Sequence, residues 1–137
     1  MVPIRRTVLD ASAVADYLIV DRPPGIVAAS VRDSEIELLV PSFCDVEIVS
    51  VLRRLVRQRR LPAGVAEGML RDYLTLRLVR FEHRPLVPRM FELRDIFTAY
   101  DAAYVALAEA SDAPLVTADR RLARAAARLR TVEIVPA

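Results

Sequence analysis

Five apolar runs of three to five residues, at positions 6–10, 37–40, 78–81, 115–117 and 132–135, alternate with longer stretches of helical character. Runs this short and rich in Val, Leu and Ile suit strands of a parallel sheet whose two faces are both covered. Parallel neighbours need a crossover between them, and helices expected at 13–20, 25–33, 43–60, 65–74, 85–96, 100–111 and 120–129 supply it. The punctuation agrees. Asp21-Arg-Pro-Pro closes the first helix, and Pro41 stops the second strand. Ser42 stands where an N-cap belongs, and Leu61-Pro-Ala-Gly breaks the long helix that follows. The expectation is one α/β domain over residues 1–137 with a central parallel sheet of about five short strands.

An open parallel sheet gathers its strand-to-helix junctions along one edge, and ligands bind there. Four carboxylates sit at such junctions. Asp10 closes Thr7-Val8-Leu9, Asp119 follows Leu115-Val116-Thr117-Ala118, and Asp101 opens the apolar stretch Ala-Ala-Tyr-Val-Ala-Leu-Ala. Glu47 lies one to two turns into the helix after the second strand. Acids tens of residues apart in sequence can therefore converge and hold a divalent cation. Each also has a simpler reading. Asp10 can cap Ala11-Ser12-Ala13, Asp119 can cap the helix at 120–129, and Asp101 suits the positive end of its helix dipole. Glu47 resists such a reading, because it lies among Val46, Ile48, Val49, Val51 and Leu52. A carboxylate buried there needs a cation, hydrogen-bond partners or an open helix face.

The residues that are missing narrow the chemistry further. All 20 basic residues are arginine, and without lysine the chain has no P-loop, Schiff-base or phospho-receiver chemistry of the usual kind. Gly25, Gly64 and Gly68 form no dinucleotide-binding loop, and no G-x-S-x-G elbow occurs. The single histidine, His83, reads as a surface loop residue, and the single cysteine, Cys44, as a small buried one. Together they are too few for a zinc site. One cysteine also fits a reducing compartment, and charges interrupt every apolar stretch before membrane-spanning length. Met1-Val-Pro-Ile-Arg-Arg is followed by only three residues before Asp10, too few for a signal-peptide h-region, so a cytoplasmic protein is expected. Arginines cluster at 53, 54, 57, 59 and 60 and at 120, 121, 124, 128 and 130. They suit phosphate groups, but a solvated helix face explains them as well. Carboxylates remain as the catalytic equipment.

The residues around the four acids resemble a known family. Thr-Val-Leu-Asp10-Ala-Ser12 is similar to the opening of PIN-domain ribonucleases, and Pro41-Ser-Phe-Cys-Asp-Val-Glu47 to their second motif. Tyr100-Asp101-Ala-Ala-Tyr-Val-Ala-Leu-Ala108 resembles the third motif, and Leu-Val-Thr117-Ala-Asp119-Arg-Arg-Leu the fourth. Order, spacing and length across the whole chain resemble the VapC toxins of bacterial type II toxin–antitoxin pairs. Ser50 departs from the pattern, since family members often carry asparagine three residues after the glutamate.

That resemblance implies a PIN-like α/β/α sandwich and an endoribonuclease that hydrolyses RNA phosphodiesters with a metal-activated water. It implies Mg2+ or Mn2+ held by Asp10 and Asp101, with Glu47 and Asp119 ligating or positioning water. Ser12, Thr117 and Ser50 would orient those acids. The implied partners are RNA, a small antitoxin protein and a second copy of the chain, with helices 43–60 and 65–74 offering apolar surface. Three other readings stay open: a non-catalytic PIN-like binding module, a housekeeping RNA-processing nuclease, and a haloacid-dehalogenase-type phosphotransferase with Asp10 as nucleophile. The last lacks its usual second aspartate, Ser12 standing there, and its lysine.

Overall fold

The computed structural model describes residues 5–19 and 25–137, so the expected first-helix end at Val20 and the break at 21–24 lie outside the described residues. The elements run β1 (Arg5–Leu9), α1 (Ala11–Ile19), α2 (Ile26–Arg32), β2 (Ile36–Pro41), α3 (Cys44–Arg57), α4 (Ala63–Thr75) and β3 (Leu78–Phe81). A 3₁₀ turn at Arg84–Leu86 follows, then α5 (Val87–Glu92), α6 (Ala99–Ser111), β4 (Leu115–Thr117), α7 (Arg120–Leu129) and β5 (Ile134–Pro136).

All five strands are parallel, in the order β3-β2-β1-β4-β5. β1 lies at the centre, between Leu38 and Leu39 of β2 and Leu115 and Val116 of β4. The chain builds outward from β1 to β3, then returns to the other side of β1 for β4 and β5. β1 and β4 are therefore the neighbours whose onward connections diverge, and a crevice opens between them at the carboxyl ends of the strands. Val8, Leu9, Leu39, Val40 and Leu115 are fully buried, as expected of strands covered on both faces.

α6 lies across β1, β2 and β4. Its seven consecutive residues 102–108 are all buried, and four of them are alanines that let the helix approach closely. A helix apolar on every side belongs in a core rather than on a surface. α5 packs on α6, α7 covers β4 and β5, and α1 touches α2, α3 and α4.

Several boundaries differ from the sequence reading. β1 ends at Leu9, leaving Asp10 outside the strand, and β2 continues through Pro41, a terminal position that needs no amide donor. Ser42 does not cap α3, because its hydroxyl donates to the Phe81 carbonyl and Phe43 takes the cap position. α3 stops at Arg57, three residues early. Arg59 adopts a left-handed φ of 57°, and the amides of Arg59 and Arg60 donate back to the carbonyls of Val56 and Leu55. That pair of bonds is a Schellman closure. The expected helix at 85–96 is divided into the 3₁₀ turn and α5, and Pro85 and Pro88 stand in the first turns of the two pieces, where no amide donor is needed. β5 pairs two residues later than expected, with Ile134 opposite Leu115.

A side chain at a left-handed C′ position costs energy that glycine avoids. Arg59→Gly is expected to raise the unfolding free energy by roughly 0.5–1 kcal/mol, read from urea denaturation.

Candidate active site at the β1–β4 crevice

The crevice is organised by Asp10, the residue after β1 and almost fully buried. Its Oδ1 accepts the Ala13 amide at 2.9 Å and the Ser12 hydroxyl at 2.7 Å. Its Oδ2 accepts the Thr117 hydroxyl at 2.6 Å across the β1–β4 junction. Thr117 Oγ1 in turn accepts the Asp119 amide at 3.0 Å, and Ser12 Oγ accepts the Ala118 amide at 3.0 Å. Two hydroxyls thus stitch the ends of β1 and β4 into one polar knot. Asp10 both caps the start of α1 and ties the end of β1 to β4.

The other acids arrive from three helices. Thr98 caps α6 by accepting the Asp101 amide, which puts Asp101 in the first turn. Asp119 is the N-cap of α7, its Oδ1 accepting the amides of Arg121 and Leu122 at 2.9 and 3.2 Å. Capping is thus one of its roles. Its Oδ2 lies 3.9 Å from the Arg121 guanidinium, which also stands 3.5 Å from Asp101. Glu47 is half-buried, and its Oε1 accepts the Tyr104 hydroxyl at 2.9 Å. The valines beside it, Val46 and Val49, face solvent, so the open helix face and a hydrogen-bond donor both contribute to its tolerance. Asp45 fixes the start of α3 by pairing with Arg80 at 2.8 Å and accepting the Tyr73 hydroxyl at 2.6 Å.

The four expected acids therefore stand at the carboxyl edge of the sheet, where Asp10, Glu47 and Asp101 each feel at least one of the others. Burial pushes the Asp10 carboxyl above its ordinary range against its three donors, and the charge of Asp119 adds to the rise. Glu47 is raised by burial, then by Asp10 and Asp101, with Tyr104 opposing. Asp101 is raised by burial and by Asp119, while Arg121 holds it down. Among the described residues no three acids stand close enough together to hold a metal ion between them. The donor set nonetheless fits a hard cation such as Mg2+, which is held by one or two carboxylates and retains several waters.

Ser12 and Thr117 sit where the sequence reading put them, on Asp10. Ser50 is exposed one turn beyond Glu47 and makes no side-chain hydrogen bond among the described residues. His83 is partly buried rather than a plain surface residue, its Nε2 accepting the Phe43 amide at 3.2 Å. Cys44 is fully buried, and burial raises its thiol. The sequence reading missed Tyr104 as the partner of Glu47. Its signal was its place three residues after Asp101, on the same helix face.

Three acids with raised folded-state values bind protons more readily folded than unfolded, so their contribution to stability falls as pH rises through the raised values. Glu47→Gln keeps the acceptor for Tyr104 and removes one charge. Its thermal midpoint is expected above wild type near about pH 7, with the gain vanishing toward about pH 4, where the wild-type acid is protonated. Thr117→Val removes a donor to Asp10, and the Asp10 carboxyl is expected to titrate higher still by NMR.

Comparison with known proteins agrees with this geometry. The PIN domain family profile matches residues 7–128. The VapC ribonuclease Mb0985 of Mycobacterium bovis and the ribonuclease VapC9 of Mycobacterium tuberculosis are each 39% identical over 129 residues, covering 94% of this chain and 98% of theirs. Ribonuclease VapC12 of Mycobacterium tuberculosis is 31% identical over 128 residues, covering 93% and 98%. Among solved structures, PAE2754 from Pyrobaculum aerophilum matches with a TM-score of 0.71 at 23% identity, over 96% of this chain and 85% of that one. VapBC2 from Rickettsia felis, bound to a DNA fragment from their promoter, matches with 0.67 at 15% identity, over 96% and 98%. The structural likenesses speak for the fold alone. The profile match and the nearly full-length relatives show that the chain belongs to the PIN-domain family, with VapC ribonucleases as its relatives.

Proposed function

We propose that this chain is a divalent-metal-dependent endoribonuclease, the toxin of a toxin–antitoxin pair. What supports the reading is that Asp10, Glu47, Asp101 and Asp119 all stand at the carboxyl edge of a PIN fold, Asp119 near enough to raise Asp10 and Asp101, and those two near enough to raise Glu47. Asp10 and Asp101 would hold Mg2+ or Mn2+, with Glu47 and Asp119 as further ligands or as acceptors that position water. When bound, such a cation lowers the pKa of a coordinated water and offsets charge that develops on a phosphodiester. Ser12 and Thr117 hold the Asp10 carboxylate in one orientation, and Tyr104 does the same for Glu47. Arg121, spanning Asp101 and Asp119, offers a guanidinium to a phosphate oxygen.

Asp10 suits a ligand better than a covalent nucleophile. Both its oxygens already accept hydrogen bonds, which lower their basicity and fix their direction. A water nucleophile leaves the ribose 2′-hydroxyl out of the reaction; the new P–O bond forms to water as the P–O3′ bond breaks, so the products carry 5′-phosphate and 3′-hydroxyl ends.

The antitoxin and a second copy of the chain are proposed as partners on the apolar surface left by α3 and α4. Val46 on α3 is 70% exposed and Leu74 on α4 is 74% exposed, apolar side chains that a partner could cover. A single domain working in the cytoplasm fits one continuous hydrophobic core and a single cysteine with no partner. Among the described residues no helix is long and apolar enough to cross a membrane.

Wild type is expected to cleave RNA with Mn2+ and to lose cleavage in EDTA. Asp101→Asn is expected to lose more than the roughly 10–100-fold typical of residues that only orient a ligand. Equal cleavage by both proteins, or 2′,3′-cyclic phosphate ends, would overturn the site. A correctly folded wild type that binds RNA without cutting it would favour a binding module instead.

A further inference from the structure

Tyr100 is the residue before Asp101, and it is 62% exposed at the rim of the acid cluster. Its ring is not loose. It meets Phe43 edge-on, with centroids 5.5 Å apart and planes at 89°. Phe43 also meets Tyr104 at 5.4 Å and 86°, and its other neighbour is His83 at 5.0 Å. Tyr104 is the residue whose hydroxyl holds Glu47. One partly buried ring, Phe43, therefore fixes Tyr100 relative to both Glu47 and Asp101. His83 secures that ring from behind through the Phe43 amide.

An exposed aromatic ring adds little to the core, and a polar residue would serve solubility better there. Its use follows from its position. Asp101, the next residue, lies 3.5 Å from the guanidinium of Arg121, whose side chain is 74% exposed. Asp101 thus has an exposed aromatic ring as its chain neighbour and a phosphate-binding group as its ion-pair partner. Unpaired bases of single-stranded RNA stack on tyrosine rings, while their phosphates seek arginine.

We propose that Tyr100, backed by Phe43, is a stacking platform for an unpaired nucleobase next to the scissile phosphate, and that it selects single-stranded over duplex RNA. The inference rests on the nuclease reading of the four acids. Stacking demands a planar ring at this position but no particular base, so the platform supplies affinity and strand preference rather than sequence.

The chain has no tryptophan, so Tyr100→Trp carries a single indole reporter at the platform. The experiment titrates that variant with a ten-nucleotide single-stranded RNA of mixed sequence, and with the same RNA annealed to its complement, in Ca2+ buffer. The intactness of the RNA is checked on a gel afterwards. Indole emission is expected to be quenched by the single strand and little changed by the duplex. By fluorescence anisotropy with labelled RNA, Tyr100→Phe is expected to bind within about twofold of wild type. Tyr100→Leu and Tyr100→Ala are expected to weaken binding about five- to a hundredfold, the range of one lost base stack.

Absence of quenching, or leucine binding as tightly as tyrosine, would overturn the platform even if Asp101-dependent cleavage persists. A change in sedimentation of Tyr100→Ala with unaltered RNA affinity would assign the ring to a protein interface and overturn it too. Quenching and a leucine defect in a protein that cuts no RNA would leave the platform standing while the nuclease reading fails.

Discussion

The hydrogen bond from Thr117 to Asp10 joins the fold to the site. It crosses the one pair of neighbouring strands whose connections run apart, and it closes the crevice between them at a fixed width. Its existence depends on register. β4 is only three residues long, and sliding it by one would turn Thr117 to the opposite face of the sheet. Asp10 would then lose a donor, and the Asp119 amide would lose its acceptor. Leu115 and Val116, buried between helical layers, hold the strand against that slip. Core packing thus sets the polar geometry.

The same crevice carries a charge problem that the rest of the chain offsets. Three of its acids are raised by burial and further raised by a neighbouring acid, so bringing them together works against folding at neutral pH. Short, directed donors temper this at Asp10 and Glu47, and a single exposed guanidinium tempers it between Asp101 and Asp119. Functional sites commonly hold perturbed groups of this kind, and the surrounding core supplies the stability they consume.

Much of this was legible in the sequence because it rested on strong local signals. The parallel sheet followed from short apolar runs separated by helices, and the site followed from acids at the junctions. Boundaries were less legible where tertiary bonds decided them. Nothing local says that Ser42 gives its hydroxyl to Phe81 rather than to its own helix. The early end of α3 needed an arginine in left-handed backbone, a conformation that glycine would have advertised. Asp119 was legible as a choice between cap and site residue; one of its oxygens caps α7, and the other lies 3.9 Å from Arg121. Partners joined by folding alone, such as Tyr104 with Glu47 at 57 residues' separation, leave only a helical-face signal behind.

The burial of α6 on every side has a consequence for how such a protein can change over generations. Asp101 and Tyr104 stand on the helix that also fills the centre of the molecule, so most replacements along residues 102–108 disturb folding before they adjust chemistry. Variants that silence the crevice yet keep an intact, partner-binding protein are confined to a few side chains at its mouth. Drift in substrate preference has the same narrow outlet, through the exposed first turn of α6 and the first turn of α7. Loss of activity by random mutation should therefore look mostly like loss of protein.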